Sequence, residues 1–203
     1  MTGVLHHAPR TRSFRVLWTL EECGRPYEVT SQPFPPRTRA PAYLEVNPTG
    51  TIPAWQDGDR LMTESMAICQ VVAEEAGRDD LQIAPGAPDR ADYLQWLWCG
   101  EATLSVPLSI IARSRRLPSQ EGLGPLLEDV RLAIDLRMAV LEARMDGRQF
   151  VASDHFTLAD IACAYPMLQT ESFGLTEILG PNCTAYFARL KARPAFQRAM
   201  AVP

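Results

Sequence analysis

The stretch GTIPAWQDGDRLMTESMAI, residues 50–68, places a proline where a buried strand is expected to begin. Pro53 has no backbone N–H to give to a sheet, so the backbone of Ile52 before it is expected to stay unpaired by the sheet. Asp57-Gly58-Asp59 is a hairpin signal between two short strands. Glu64-Ser65 then stands where a helix is expected to begin, so the stretch predicts a hairpin followed by a helix.

The residues before this stretch predict a strand, a helix and a second strand. GVLHHA (residues 3–8) has a strand-like composition, and SFRVLWTLEECG (13–24) has helical periodicity, with Ser13 as N-cap and Gly24 as the stop. PYEVTSQPF (26–34) is the second strand. The proline-rich stretch PFPPRTRAPAY (33–43) is expected to lack regular structure. The order β-α-β, loop, β-β-α predicts a small mixed sheet carrying helices.

The rest of the chain is expected to be helical. A polar break suggests domain bounds of 1–78, a linker at 79–89, and a helical domain at 90–203. Helical patterns cover Ala91–Arg116, with a kink expected at Pro107, and Leu126–Met145. Thr157 and Asp160 have the spacing of a capping box at the start of a further helix. The predicted fold class is therefore α+β in the first domain and all-α in the second.

Composition and charge exclude several functional classes. The 203 residues are 46% hydrophobic and 22% charged, with a net charge of −4, which gives no electrostatic basis for binding nucleic acid or an anionic membrane. Five scattered cysteines without a C-x-x-C pair argue against a disulfide framework, and three dispersed histidines do not suggest a metal site. With no signal peptide or spanning segment recognised, we expect a soluble cytoplasmic protein.

The opening stretch suggests a ligand. If the Ile52–Pro53 bond is cis, the N–H and C=O of Ile52 point outward and can pair with a peptide-like ligand in antiparallel fashion. The helix N-terminus at Ser65, with its hydroxyl and backbone N–H groups, suits a carboxylate, and Glu64 beside it suits an ammonium group. An amino-acid head joined to a peptide backbone describes glutathione.

Three stretches resemble one known family in the same order along the chain. They are NPTGTIPAW with TESMAI (47–55 and 63–68), RSFRVLWTLEECGRPYE (12–28) and FVASDHFTLADIACAYP (150–166). They are similar to the glutathione-site signature, the first helix with the second strand, and the capping-box helix of the soluble glutathione S-transferases. The chain is thus identified as a bacterial-like member of that family, with a resemblance that spans essentially its whole length.

The resemblance implies a thioredoxin-like N-terminal domain, an all-helical C-terminal domain and a homodimer. Glutathione is then the co-substrate, with Ile52, next to Pro53, pairing with its cysteinyl backbone. Glu64 and Ser65 are expected to bind its γ-glutamyl end, and Arg39, in the proline-rich loop, its glycyl carboxylate.

The group that activates the glutathione sulfur does not follow the family pattern. A donor or positive charge at the first turn of the first helix is needed to lower the pKa of the thiol. The serine position usual in the family falls on Arg10 or Thr11, and the cysteine position on Arg12. Ser13 and Thr11 can donate a hydroxyl, and Arg12 can supply charge or a backbone N–H, so three candidates remain open.

Helical spacing makes Trp96, Glu101, Ser105 and Arg113 the candidates for an acceptor pocket between the two domains. The predicted function is transfer of the glutathione thiolate to a small hydrophobic electrophile, in detoxification, or reduction of a peroxide or mixed disulfide. A zeta-like isomerase is a sub-case, because SFRV resembles that class's first helix. The main alternative is a catalytically weak binding or regulatory module. A dithiol oxidoreductase lacks its C-x-x-C motif.

Overall fold

The computed structural model describes residues 2–203. Its contacts form two compact units: one reaches Gln82 and also takes in Ala192–Pro203, and the other is Ile83–Lys191. The final segment of the chain therefore groups with the first unit. The domain bounds 1–78, 79–89 and 90–203 stay a prediction.

A four-stranded sheet forms the centre of the first unit. Its strands are β1 (Gly3–His7), β2 (Tyr27–Ser31), β3 (Ala54–Asp57) and β4 (Arg60–Met62), in the order β2-β1-β3-β4. β1 pairs with β2 in parallel and with β3 in antiparallel fashion, and β3 pairs with β4 in antiparallel fashion. Leu5 and Trp55 lie in register and are fully buried. This arrangement confirms the predicted βαβ-ββα order.

Four helices accompany the sheet: α1 (Ser13–Cys23), α2 (Pro36–Arg39), α3 (Ser65–Glu75) and, from the end of the chain, α9 (Pro194–Ala201). Short 3-10 turns cover Pro41–Glu45 and Asp79–Leu81. α1 ends as predicted at Gly24, whose φ of 61° is accessible to glycine at little cost. In α9, the ring of Phe196 lies 5.0 Å from that of Phe14 and 4.9 Å from that of Trp18, so α9 covers the aromatic face of α1.

Two local predictions in this unit were wrong. The proline-rich stretch 33–43 is partly regular, because Pro36 and Pro41 occupy the first positions of a helix and of a 3-10 turn, where the missing N–H is not needed. Ser13 is the first residue of α1 and not its N-cap. The N-cap is Arg12, which makes no side-chain capping bond. The hydroxyl of Ser13 is instead directed to other partners.

Helices make up the second unit, which contains no strand in residues 83–191. They are α4 (Arg90–Trp98), a π-helical segment (Cys99–Leu104), α5 (Ser105–Ser114), α6 (Gly124–Arg144), α7 (Leu158–Phe173) and α8 (Pro181–Lys191), with a 3-10 turn at Thr176–Ile178. Most of α7 is buried, so it forms the centre of this unit. Within residues 2–203, none of the helices combines the length and the apolar character needed to cross a membrane.

The helical pattern predicted for Ala91–Arg116 is irregular before Pro107 and regular around it. Pro107 fits in the first turn of α5, and the irregularity is the π-helical segment before it. Gly100 in this segment is pressed against α7, since a Cβ added there would lie 2.5 Å from the backbone carbonyl carbon of Ala162. Close packing against α7 coincides with the irregular segment.

The predicted capping box at the start of α7 is confirmed. One carboxylate oxygen of Asp160 accepts from the backbone N–H of Thr157 at 2.8 Å. The other accepts from the backbone N–H of Val151 at 2.9 Å and from the hydroxyl of Tyr186 at 2.6 Å. Asp160 is fully buried, so a single side chain ties the preceding loop and α8 to α7.

Candidate functional site

The backbone of Ile52 is left unpaired at the entry to β3. The Ile52–Pro53 bond is cis. Among residues 2–203, neither the sheet nor any other hydrogen bond uses the N–H or C=O of Ile52, as the sequence predicted. The residue is only 7% exposed and packs in a cluster with Ala8, Tyr43 and Ala54. Because buried backbone groups in proteins are nearly always paired, this pair of groups suits an external partner.

The loop before Ile52 is held by side chains that the sequence reasoning did not single out. Asn47 is buried, and its amide donates to the carbonyl of Thr51 at 2.9 Å while its oxygen accepts from the N–H of Thr49 at 3.2 Å. The hydroxyl of Tyr43 also donates to the Thr51 carbonyl, at 2.9 Å. The N-P-T-G motif was the available signal for Asn47, because asparagine commonly fixes such turns.

The N-terminus of α3 presents Glu64 and Ser65. Glu64 is exposed and has a φ of 66°, in the left-handed region that is strained for a side chain with a Cβ. Ser65 is only 3% exposed, and its oxygen accepts from a guanidinium nitrogen of Arg15 at 3.3 Å. Since Arg15 donates, the Ser65 hydroxyl keeps its own proton for another acceptor. A buried guanidinium beside a helix N-terminus favours a ligand carboxylate there.

The turn between β1 and α1 brings Thr11 and Ser13 together with His7. The Ser13 oxygen lies 2.8 Å from the Thr11 oxygen and 2.7 Å from Nδ1 of His7. Thr11 also donates to the carbonyl of Ala8 at 2.8 Å. Ser13 is fully buried, His7 is 2% exposed and Thr11 is 7% exposed. Burial lowers the pKa of His7 to about 4, so its ring is neutral at neutral pH. His7 was not among the residues predicted for this site.

Three further arginines of the first unit differ in exposure. Arg12 is half-buried at the N-terminus of α1, and Arg39 is exposed at the end of α2. Arg10 is exposed and has a φ of 60°.

Ala8 contacts both the turn before α1 and the segment around Ile52. Its carbonyl accepts from Thr11, and its side chain packs in the cluster with Ile52. The α1 turn and the unpaired backbone therefore share a neighbour.

The candidates for the acceptor pocket lie in the second unit and have unequal exposure. Trp96 is 3% exposed, and Ser105 is fully buried and donates to the carbonyl of Gly100 at 2.6 Å. Glu101 is half-buried in the π-helical segment, and Arg113 is exposed on α5. Only Glu101 and Arg113 thus keep appreciable surface, and the assignment of an acceptor pocket to these residues stays a prediction.

The second unit also has an open polar cavity of about 570 Å³, which contains none of the predicted site residues. Its lining consists of Asp89, Gly147, Arg148, Gln149, Ser153 and Asp154.

Comparison with known proteins gives the family. Residues 11–75 match the family model of the glutathione S-transferase N-terminal domain, and residues 106–194 match that of the C-terminal domain. Glutathione S-transferase F9 of Arabidopsis thaliana is 32% identical over 157 residues, which cover 73% of this chain and 71% of the relative. The chain belongs to the glutathione S-transferase family, as the sequence motifs predicted.

Two further proteins resemble the chain over nearly its whole length. Glutathione S-transferase 3 of Zea mays is 29% identical over 196 residues, covering 92% of this chain and 87% of the relative. Among solved structures, the glutathione transferase URE2P6 from Phanerochaete chrysosporium, in complex with oxidized glutathione, has a TM-score of 0.81 at 26% identity, covering 98% of this chain and 94% of that chain. The thioredoxin-like first unit and the helical second unit are therefore the fold of this family.

Proposed function

We propose that this protein is a glutathione transferase that binds glutathione on its first unit and transfers the thiolate to a small hydrophobic electrophile. Membership of the family supports glutathione as co-substrate. The observation that carries the proposal is the unpaired backbone of Ile52 in an otherwise buried setting. A peptide ligand lying antiparallel to this residue would supply both missing hydrogen bonds.

Ser65 and Glu64 are proposed to hold the γ-glutamyl end of glutathione. The Ser65 hydroxyl has a proton to donate to the ligand carboxylate, and Arg15 behind it adds positive charge. Glu64 is exposed, and its carboxylate suits the ligand ammonium. The positive φ of Glu64 supports a functional role, because such strain persists mainly where a site requires it. Arg39 is exposed and is proposed to meet the glycyl carboxylate.

Thr11 is proposed to donate to the sulfur, with Ser13 behind it. Ser13 is fully buried and already contacts both His7 and Thr11, whereas Thr11 retains some exposure. Rotation about its Cβ–Oγ bond takes the Thr11 proton from the Ala8 carbonyl towards a ligand sulfur. Arg12 and the positive end of α1 are proposed to add to the field at this point.

This arrangement would stabilise the thiolate over the thiol. A free thiol has a pKa of about 8.5, and each unit by which the site lowers that value corresponds to about 1.4 kcal/mol. The thiol proton passes to solvent, and the sulfur lone pair then forms the new bond to the electrophilic carbon. The bond from that carbon to a leaving anion breaks and the anion departs to solvent or, in an addition, the π-electron pair moves to the activating group and takes up a proton from solvent. Donors aimed at the sulfur need little rearrangement as the reaction proceeds, which is why such sites are effective.

The electrophile is proposed to bind beside the acceptor-pocket candidates of the second unit. Glu101 and Arg113 are the acceptor-pocket candidates that keep exposed surface. Trp96 and Ser105 are proposed to act only through packing, because both are buried. Reduction of a peroxide or a mixed disulfide would use the same activated sulfur.

The protein is further proposed to act in the cytoplasm, in detoxification and as a homodimer. Five free cysteines support a reducing compartment. Along α6, Leu132, Leu136 and Val140 are 57%, 61% and 60% exposed, and their four-residue spacing places them on one face. An apolar face of this kind is typical of an interface with a second copy.

The binding site is tested by calorimetric titration of glutathione into the wild type and Ser65→Ala. Loss of a hydroxyl donor to a carboxylate removes about 1.5–3 kcal/mol, so we expect affinity to fall roughly tenfold to a hundredfold. Ser119→Ala, at an exposed position in the second unit, is the matched control and should leave affinity unchanged. If the folded wild type takes up no glutathione at millimolar concentrations, the proposal is wrong.

The role of Thr11 is tested by turnover with a panel of small electrophiles. Thr11→Ala should retain glutathione affinity but lose roughly a hundredfold in kcat, the usual effect of removing one donor to a developing anion. Thr11→Ser keeps the hydroxyl and should retain most of the activity. Equal activity in Thr11→Ala and Thr11→Ser would assign the sulfur to another group. Glutathione binding without turnover of any electrophile would favour the binding-module alternative.

A further inference from the structure

His7 is a buried polar side chain that the proposed mechanism does not yet use. Its Nδ1 lies 2.7 Å from the Ser13 oxygen, but its Nε2 is buried and has no hydrogen-bond partner. His7 ends β1 and precedes the turn that carries Thr11. A buried ring nitrogen without a partner raises the question of which nitrogen carries the proton.

The missing partner at Nε2 decides between the two tautomers. A proton on Nε2 would bury an N–H donor without an acceptor, which is rare in proteins, whereas an unpaired acceptor is tolerated more often. A proton on Nδ1 would donate directly to the Ser13 oxygen. Because burial keeps the ring neutral, only one of the two nitrogens is protonated. The surroundings therefore favour the Nδ1–H form.

The tautomer sets the direction of the hydrogen bonds from Ser13 to Thr11. When His7 donates to Ser13, Ser13 is free to donate to Thr11 across 2.8 Å, and the Thr11 proton is available to a ligand. When His7 accepts, Ser13 donates to it. The Thr11 proton must then lie between the two hydroxyl oxygens, since two oxygens 2.8 Å apart repel each other when no proton lies between them. A hydroxyl that accepts a hydrogen bond is also a stronger donor.

We propose that His7 is a positioning residue: it donates from Nδ1 to Ser13 and so directs the Ser13–Thr11 hydroxyl pair to donate towards the glutathione sulfur. This inference rests on the proposed function, because it presupposes that Thr11 faces the sulfur. It assigns the buried Ser13 a role in orienting Thr11, and it gives His7 a role without contact to substrate.

The tautomer is tested directly on the wild-type protein with ¹⁵N-labelled histidine. The nitrogen chemical shifts and the couplings to ring protons report which ring nitrogen is protonated. We expect His7 to be protonated at Nδ1, and protonation at Nε2 would overturn the inference. This measurement needs no variant, so it stands even if a substitution of His7 prevents folding.

The functional consequence is tested with His7→Leu and His7→Asn. Leucine cannot donate, so the pKa of bound glutathione, followed by the ultraviolet absorbance of its thiolate, should rise by about one unit, and kcat at neutral pH should fall roughly tenfold. The side-chain amide of asparagine can take the place of Nδ1–H and should restore both values. His155→Asn, at an exposed histidine in the second unit, is the control. Ser13→Ala should match His7→Leu, and combining the two should add little.

Binding of S-methylglutathione separates the two levels of the proposal. It has no thiol, so its affinity should be the same in the wild type and in His7→Leu. If the wild type binds neither S-methylglutathione nor glutathione, the proposed function fails. If the wild type and His7→Leu both bind S-methylglutathione normally and the pKa of bound glutathione is the same in the two proteins, only the role of His7 is refuted.

Discussion

Replacing Asp160 with asparagine should destabilise the second unit almost as much as replacing it with alanine. Asparagine is usually the mild substitution for aspartate, because it keeps the shape and removes only the charge. Here one carboxylate oxygen accepts from the Thr157 N–H and the other from the Val151 N–H. Whichever way the amide is turned, its NH₂ group must face a backbone N–H. The substitution thus converts one buried hydrogen bond into a contact between two donors.

The magnitude follows from the bonds that are lost. A hydrogen bond to a charged group contributes about 1.5–3 kcal/mol, and breaking a buried charged network by removing one partner costs about 3–5 kcal/mol. We expect about 4 kcal/mol for Asp160→Ala and about 3 kcal/mol for Asp160→Asn. With a urea dependence of about 2 kcal/mol per molar, the unfolding midpoints should fall by roughly 2 M and 1.5 M.

Urea unfolding followed by far-ultraviolet circular dichroism measures these shifts. The control is Asp154→Asn, because the side chain of Asp154 is 95% exposed and lies just before the same helix. Its free energy of unfolding should stay within about 0.5 kcal/mol of the wild-type value. If Asp160→Asn unfolds at the same urea concentration as Asp154→Asn while Asp160→Ala is clearly less stable, the expected contact between two donors does not form.

Two other predictions concern protonation and assembly. Because burial lowers the pKa of His7 to about 4 from 6.5, the unfolded chain binds a proton that the folded chain does not between these values. The free energy of unfolding should therefore decrease as the pH is lowered from about 6.5 to about 4, by up to 1.4 kcal/mol per pH unit. Urea midpoints measured over this range should depend less on pH in His7→Asn than in the wild type. On α6, Leu136→Glu puts a charge at the centre of the exposed apolar face, so we expect this variant to sediment as a monomer and the wild type as the proposed homodimer. An unchanged sedimentation coefficient would place the interface elsewhere.

The sequence predicted the fold where the signals are local. The apolar periodicities, Gly24 and the Thr157–Asp160 spacing each lie within a few residues, and the structure has the elements that they indicate. Pro107 was expected to disturb its helix, but the irregular segment is Cys99–Leu104, where Gly100 packs against Ala162, a residue distant in the chain. Proline content alone did not reveal that Pro36 opens a helical turn, since the helix start accepts proline.

In the candidate site, too, local signals were predicted from the sequence and contacts between distant residues were not. Ile52 and Ser65 are predicted site residues because the proline and the helix start mark them locally, and Pro53 alone predicted that the backbone of Ile52 stays unpaired by the sheet. Arg15 contacts Ser65 from another helix, across 50 positions in the chain, so no sequence spacing indicated it. His7 lies in the predicted first strand, and only the fold of the turn brings it to Ser13.

The covering of α1 by α9 has a consequence for synthesis on the ribosome. Phe14 and Trp18 are made early, but Phe196, which packs against them, lies in the last helix. The ion pair between Glu22 and Arg193 likewise joins residues 171 positions apart. A nascent chain therefore carries an uncovered aromatic face on its first unit while the entire second unit is translated. Its final packing step is the closure of a very long loop, which is slow compared with local folding.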